Sequence, residues 1–156
     1  MPPRSRTQPS KTLHDIAAET GLYPVEAFDF VQRGVPFTVH RIHGAAAQAA
    51  DQQECRHVTG RELCLGLRDL ALRQWGRLAT LVLRRWNITC TLDFGRIVFS
   101  LVEGGYLRTT QNDTVEDFRN VYDFRTAFED EYRIDLPTRL AEGLFTPRGL
   151  LAGKCQ

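Results

Sequence analysis

The sequence predicts a mainly α fold with one short β element. Three observations lead there. Apolar residues recur at the 3.6-residue period through most of residues 10–132. Capping signatures and glycines fall where helices should start and stop. Only residues 106–110, with Tyr106, Thr109 and Thr110, have the aromatic and β-branched character of a strand.

The first helix is expected over residues 10–20, with Leu13, Ile16 and Ala17 on its inner side and Gly21 as its stop. Pro24 suits the first position of a second helix, whose inner face would be Ala27, Phe28, Phe30 and Val31. Gly34 and Pro36 should end or kink it, because proline cannot donate to the preceding turn. Residues 37–42 can resume as helix, and residues 44–54 lack any apolar period and read as a loop or a frayed helix extension. Thr59 and Glu62 then form a capping box ahead of a third helix with Leu63, Leu67, Leu70 and Ala71 inward. Leu65 and Leu72 lie off that stripe, so more than one side of this helix should be covered.

Gly76 separates it from a fourth helix over residues 77–86, read with Leu78, Leu81, Val82 and Trp86 in register and Asn87 as C-cap. The fifth helix has the clearest stripe, with Phe94, Ile97, Val98, Leu101 and Val102 at i, i+3, i+4, i+7 and i+8. Thr91 is its expected N-cap, Asp93 favours the helix dipole in the first turn, and Gly104 and Gly105 stop it. Beyond the strand, Asp113 to Glu116 repeats the capping geometry. Phe118, Val121 and Tyr122, then Phe124, Phe128 and Tyr132, are spaced to clamp onto the fifth helix.

Four stretches carry a family resemblance. They are Tyr23-Pro24 through Val31, His57-Val58-Thr59-Gly60 through Gly66, Asp93-Phe94-Gly95 through Glu103, and Asp117-Phe118 through Phe128. On these the chain resembles a small uncharacterised protein family described as restricted to planctomycete and verrucomicrobial bacteria, over roughly residues 22–130. Pro36, and Asn87 in place of an expected Gly, depart from its pattern. The resemblance implies no activity, cofactor or catalytic residue.

With 156 residues, 42% of them hydrophobic and 25% charged, the chain suffices for one domain with a real core. The expected layout is a disordered tail over 1–9, a single helical domain over 10–132, and a poorly ordered, mobile C-terminal tail over 133–156. No apolar run reaches the roughly 18 residues of a membrane span, and the N-terminal stretch lacks a signal peptide's apolar segment. Cys55, Cys64, Cys90 and Cys155 form no C-x-x-C pair. These points predict a cytoplasmic protein with reduced thiols and no membrane contact.

Three helices, an extended link and a strand together look like a winged-helix module, which would read DNA with its third helix and touch phosphate with its wing. The charges fit that use poorly. The outer side of residues 93–103 offers Arg96 and Ser100 against Asp93 and Glu103, and the wing carries Asn112, Asp113, Glu116 and Asp117. The net charge of +1 also argues against a chain dominated by nucleic-acid electrostatics.

The arginines crowd the third and fourth helices, and the acidic residues crowd the later part of the chain. Arg61, Arg68, Arg77, Arg84 and Arg85 are the candidate docking patch. Its expected use is contact with an acidic protein, with nucleic acid as the alternative. His40, His43, Cys55 and His57 are candidate zinc ligands, but their H-x-x-H and C-x-H pairs match no structural zinc spacing, so no metal and no cofactor are expected. Asp93-Phe94-Gly95 lacks every other kinase signature, and G-x-S-x-G, P-loop and H-E-x-x-H motifs are missing. The sequence therefore predicts a non-enzymatic protein–protein interaction domain, adaptor or regulatory. A nucleic-acid-binding module ranks second and an enzyme third.

Overall fold

The computed structural model describes residues 10–44 and 57–130. The expected tails, the 44–54 loop beyond Gly44, Cys55 and Tyr132 lie outside the described residues. Within them the chain forms five α-helices: α1 (Leu13–Thr20), α2 (Val25–His43), α3 (Gly60–Trp75), α4 (Ala79–Arg85) and α5 (Thr91–Glu103). Two 3-10 turns, Gly76–Leu78 and Val115–Phe118, and a π turn, Thr126–Asp130, complete it.

The starts and stops follow local chemistry. Thr12 and Asp15 form a reciprocal capping box on α1, and Thr59 and Glu62 form the expected one on α3. Gly21, at φ 64°, ends α1 in the left-handed region that glycine enters without steric cost. At α5 the cap differs from expectation. Cys90 holds the N-cap position, and Asp93 accepts from its backbone N–H at 3.2 Å. The Thr91 hydroxyl instead accepts Val121 N–H at 3.2 Å and so pins the later chain to α5.

α2 and α3 cross closely, and small residues make the crossing feasible. A Cβ on Gly34 would overlap Leu67 Cδ2, and one on Gly66 would overlap the Thr38 hydroxyl. Each helix offers a notch that the other fills. This revises the reading of Gly34 and Pro36 as a break, since α2 runs unbroken from Val25 to His43. Gly34 serves close approach. Pro36 lies on the exposed side of α2, where a missing backbone hydrogen bond costs less than it would in the core. The Thr38 hydroxyl also donates to Gly34 O at 2.7 Å.

α5 lies at the centre of the core. Phe94, Ile97 and Leu101 are fully buried, each worth roughly 1.5–3 kcal/mol of transfer free energy. The aromatic half of the chain folds back on it, as its spacing suggests. Phe118 seats against Gly95 and Gly60, where any Cβ would come within about 3 Å of the ring. Phe124 packs on Phe94 at 5.9 Å and on Phe128 at 5.2 Å. Tyr122 Oη donates to Cys64 O at 2.9 Å and ties the segment to α3.

Three further expectations need correction. Residues 106–110 form no strand, and no strand occurs among the described residues. The Tyr106 and Leu107 N–H groups return to Leu101 O at the end of α5, so these residues finish a helix instead of pairing with a neighbour. The capping box near residue 113 is displaced by one. Thr114 and Asp117 make it, while Asp113 accepts from Thr110 N–H at 2.7 Å. The fourth helix begins at Ala79, and its buried side is Ala79, Thr80 and Leu83. Leu78 and Leu81, read as inward, face solvent.

Candidate functional site

α4 is amphipathic in the opposite phase to its sequence reading. Ala79 and Leu83 are fully buried, whereas Leu78 and Leu81 are 60% and 61% exposed. At about 100° per residue, Arg77, Leu78, Leu81, Arg84 and Arg85 fall within roughly one third of the circumference. All five are exposed. Arg77, Arg84 and Arg85 form no ion pair with another described residue. The result is a basic stripe with two leucines at its centre. Behind it, Trp75 and Trp86 meet edge to face at 5.3 Å and both pack on Phe30, at 5.1 and 5.8 Å. That cluster anchors both ends of α4 and gives the stripe a rigid backing.

The five arginines of the candidate patch do not converge. α3 has 16 residues and so spans about 24 Å, placing Arg61 and Arg77 at opposite ends. Arg68, between them, is half-buried, pairs with Asp69 at 3.1 Å and lies 6.0 Å over the Tyr122 ring. Arg41 of α2 pairs with the same Asp69. Arg61 shares the far end of α3 with His57, Asp113 and Asp117. Only Arg77, Arg84 and Arg85 form a common surface.

Among the described residues, Arg61, Arg73, Arg77, Arg84 and Arg85 form no ion pair with the acidic groups of the later part of the chain. Arg33 bonds Asp29 at 2.8 Å and Arg119 bonds Glu116 at 2.7 Å, each within one helical turn. Asp117 and Asp123 accept from the Thr114 and Thr126 backbone N–H groups at 2.7 and 3.0 Å.

His40 and His43 lie exposed in the last turn of α2. His57 Nε2 lies 3.2 Å from Asp113 Oδ1, and Cys55 falls outside the described residues. No group of three or more His, Cys, Asp or Glu gathers at metal-binding distance among the described residues. The His57–Asp113 pair has the form of an acid–base dyad, but nearby hydroxyls are committed elsewhere. Thr59 Oγ1 donates to Glu62 and Thr110 Oγ1 to Asp113, both at 2.9 Å.

Asp93 is the polar centre that sequence reasoning placed on the outer face of α5. It is 4% exposed. Oδ1 accepts from Tyr23 Oη at 2.7 Å and Arg96 Nη1 at 3.1 Å. Oδ2 accepts from Thr89 N–H at 2.9 Å and Cys90 N–H at 3.2 Å. Burial alone would raise its pKa, but the hydrogen bonds from Tyr23, Thr89 and Cys90 outweigh it and hold the carboxyl below its ordinary value. Tyr23 is pushed up to about 12 by burial and by this carboxylate. Every donor to Asp93 belongs to the chain's own framework, which makes it a structural hub joining the start of α2 to the start of α5.

No described helix is long and apolar enough to cross a membrane. No family model, curated protein or solved structure matches the chain.

Proposed function

We propose that the protein is a non-enzymatic interaction domain, adaptor or regulatory, that docks a partner protein on the exposed stripe of α4. The observation that carries this is the pair of leucines, 60% and 61% exposed one turn apart, set among three unpaired arginines. Covering aliphatic area releases about 25 cal/mol per Å², while a guanidinium rewards a carboxylate with two parallel hydrogen bonds. The occupant with both features is an acidic segment with apolar residues at helical spacing, laid along α4 as an amphipathic helix.

Nucleic acid is the second reading, because phosphates would satisfy the same arginines. It would leave Leu78 and Leu81 facing a charged backbone with nothing gained. The winged-helix-like reading survives in the proposal only as the order α3, α4, α5. Residues 106–114, at the place of a wing, carry Arg108 against Asp113 and so offer phosphate no net attraction.

The test is photo-crosslinking in cells with a benzophenone side chain at position 81, and at the exposed position 33 of α2 as control. The expected result is one protein adduct specific to position 81, mapped to an acidic, apolar segment and lost in the Arg84→Glu, Arg85→Glu variant. Nuclease-sensitive adducts, or identical adducts from both positions, would overturn it.

A further inference from the structure

A second site lies about one helix length away from α4, at the N-terminal end of α3. An apolar cavity of about 130 Å³ opens there between α2, α3, α5 and the chain after α5. Val35 and Val39 of α2, Leu63 of α3, Val98 of α5 and the Phe118 ring form its walls. Its size is close to the roughly 150 Å³ apolar cavity that takes up benzene. One phenyl ring or one branched four-carbon chain therefore fills it. Gly60 shapes the rim, because a Cβ there would press on the Phe118 ring at 2.9 Å.

The mouth is polar and charge-balanced. His57, Gly60, Asp113 and Asp117 belong both to the apolar cavity and to a shallow shelf beside it, which adds Arg61 and Asn112. Arg108 stands on the cavity side. Arg108 lines the cavity, Arg61 lines the shelf, and Asp113 and Asp117 line both. Neither arginine pairs with another described residue. Asp113 spends its oxygens on His57 and Thr110, while Asp117 commits only Oδ2, to Thr114. A lone carboxylate or a lone amine would answer half of this mouth. A zwitterionic head answers both halves.

We propose that the cavity binds a free α-amino acid with a branched aliphatic or phenyl side chain. The side chain enters the pit, the carboxylate meets Arg108 and Arg61, and the ammonium meets Asp117. This site is independent of the α4 stripe, so it stands or falls separately from the docking proposal.

The test is calorimetric and NMR titration of the full chain with L-leucine and L-phenylalanine. Glycine, 4-methylpentanoate and 3-methylbutylamine are the comparison probes. Leucine or phenylalanine should bind, with amide shifts on Val98 and Phe118, and glycine should not. The acid and the amine, each lacking half of the head group, should bind about tenfold more weakly. Arg108→Gln and Asp117→Asn, both at exposed positions, should each weaken leucine about tenfold without unfolding the chain. Val39→Phe should abolish binding by filling the pit. The proposal is overturned if neither amino acid binds, if 4-methylpentanoate or 3-methylbutylamine binds as tightly as leucine, or if none of the three variants changes affinity.

Discussion

Asp93 Oδ1 accepts the Tyr23 phenol across seventy positions of sequence, and Oδ2 closes the cap of α5 through Thr89 and Cys90. Asp93 was readable as an acid in the first turn, but the cap was expected at Thr91 instead of Cys90, and the Tyr23 bond was not legible because no local spacing encodes it. The linkage has a definite sign. The carboxyl is depressed in the folded state, so its stabilisation is fully present above the unfolded value of about 3.9 and fades as pH falls through the lower folded value. Tyr23 acts at the other end. Its folded pKa is raised to about 12, so stability declines as pH climbs from about 10, where the unfolded phenol ionises first. Asp93→Asn replaces one of two acceptor oxygens with a donor facing other donors. Urea melts near pH 7 should show a loss of about 2 kcal/mol, and the deficit should shrink near pH 3, where the wild type loses the same advantage. An equal deficit at both pH values would show that Asp93 acts through packing and not through its charge.

α5 was legible because thirteen residues carry five apolar positions in one unbroken stripe, and the buried Phe94, Ile97, Val98 and Leu101 follow it. α4 was misread because it has only seven residues and apolar side chains on both faces. In RLATLVLRR, residues 77–85, the period alone cannot choose between Leu81 and Leu83. The choice is made by tertiary packing, as Trp75 and Trp86 close over Phe30 and bring Leu83 and Ala79 inward. The arginines of the stripe were found from charge alone, and its leucines were missed through that phase error. The contrast is measurable. Ile97→Ala and Leu101→Ala should each cost roughly 2–5 kcal/mol in urea melts, since both leave a cavity in the core. Leu81→Ala should stay within about 0.5 kcal/mol, as expected of a surface position. A loss above about 1.5 kcal/mol at Leu81 would mean that this side chain is covered in the isolated chain.

At the scale of the molecule, helix order and most inner faces were legible because capping boxes, glycine stops and apolar periods agree. The α2–α3 crossing was not, because Gly34 and Gly66 act through close approach to residues far away in sequence. Charge segregation was visible too, but its consequence needed three dimensions. Asp117 and Asp123 bond within their own turns, Asp113 bonds Thr110 and His57, and Arg77, Arg84 and Arg85 form no ion pair with another described residue, while Arg68 is held by Asp69. This fixes what nucleic acid can do here. Three arginines touching three phosphates of a duplex give a log–log salt slope of about −3. Replacing Arg84 and Arg85 together should flatten it by about 2, with no change in sequence preference, because phosphate contacts carry no sequence information. Fluorescence anisotropy over a salt series, with two unrelated duplexes and one single strand, should therefore find weak and sequence-blind binding, unaltered by Leu81→Ser. The leucine substitution separates the two leading functions, since an acidic apolar segment would lose affinity with it and a phosphate backbone would not. A hundredfold preference for one duplex at about 150 mM salt would make the stripe a reader of sequence and displace the protein-docking proposal.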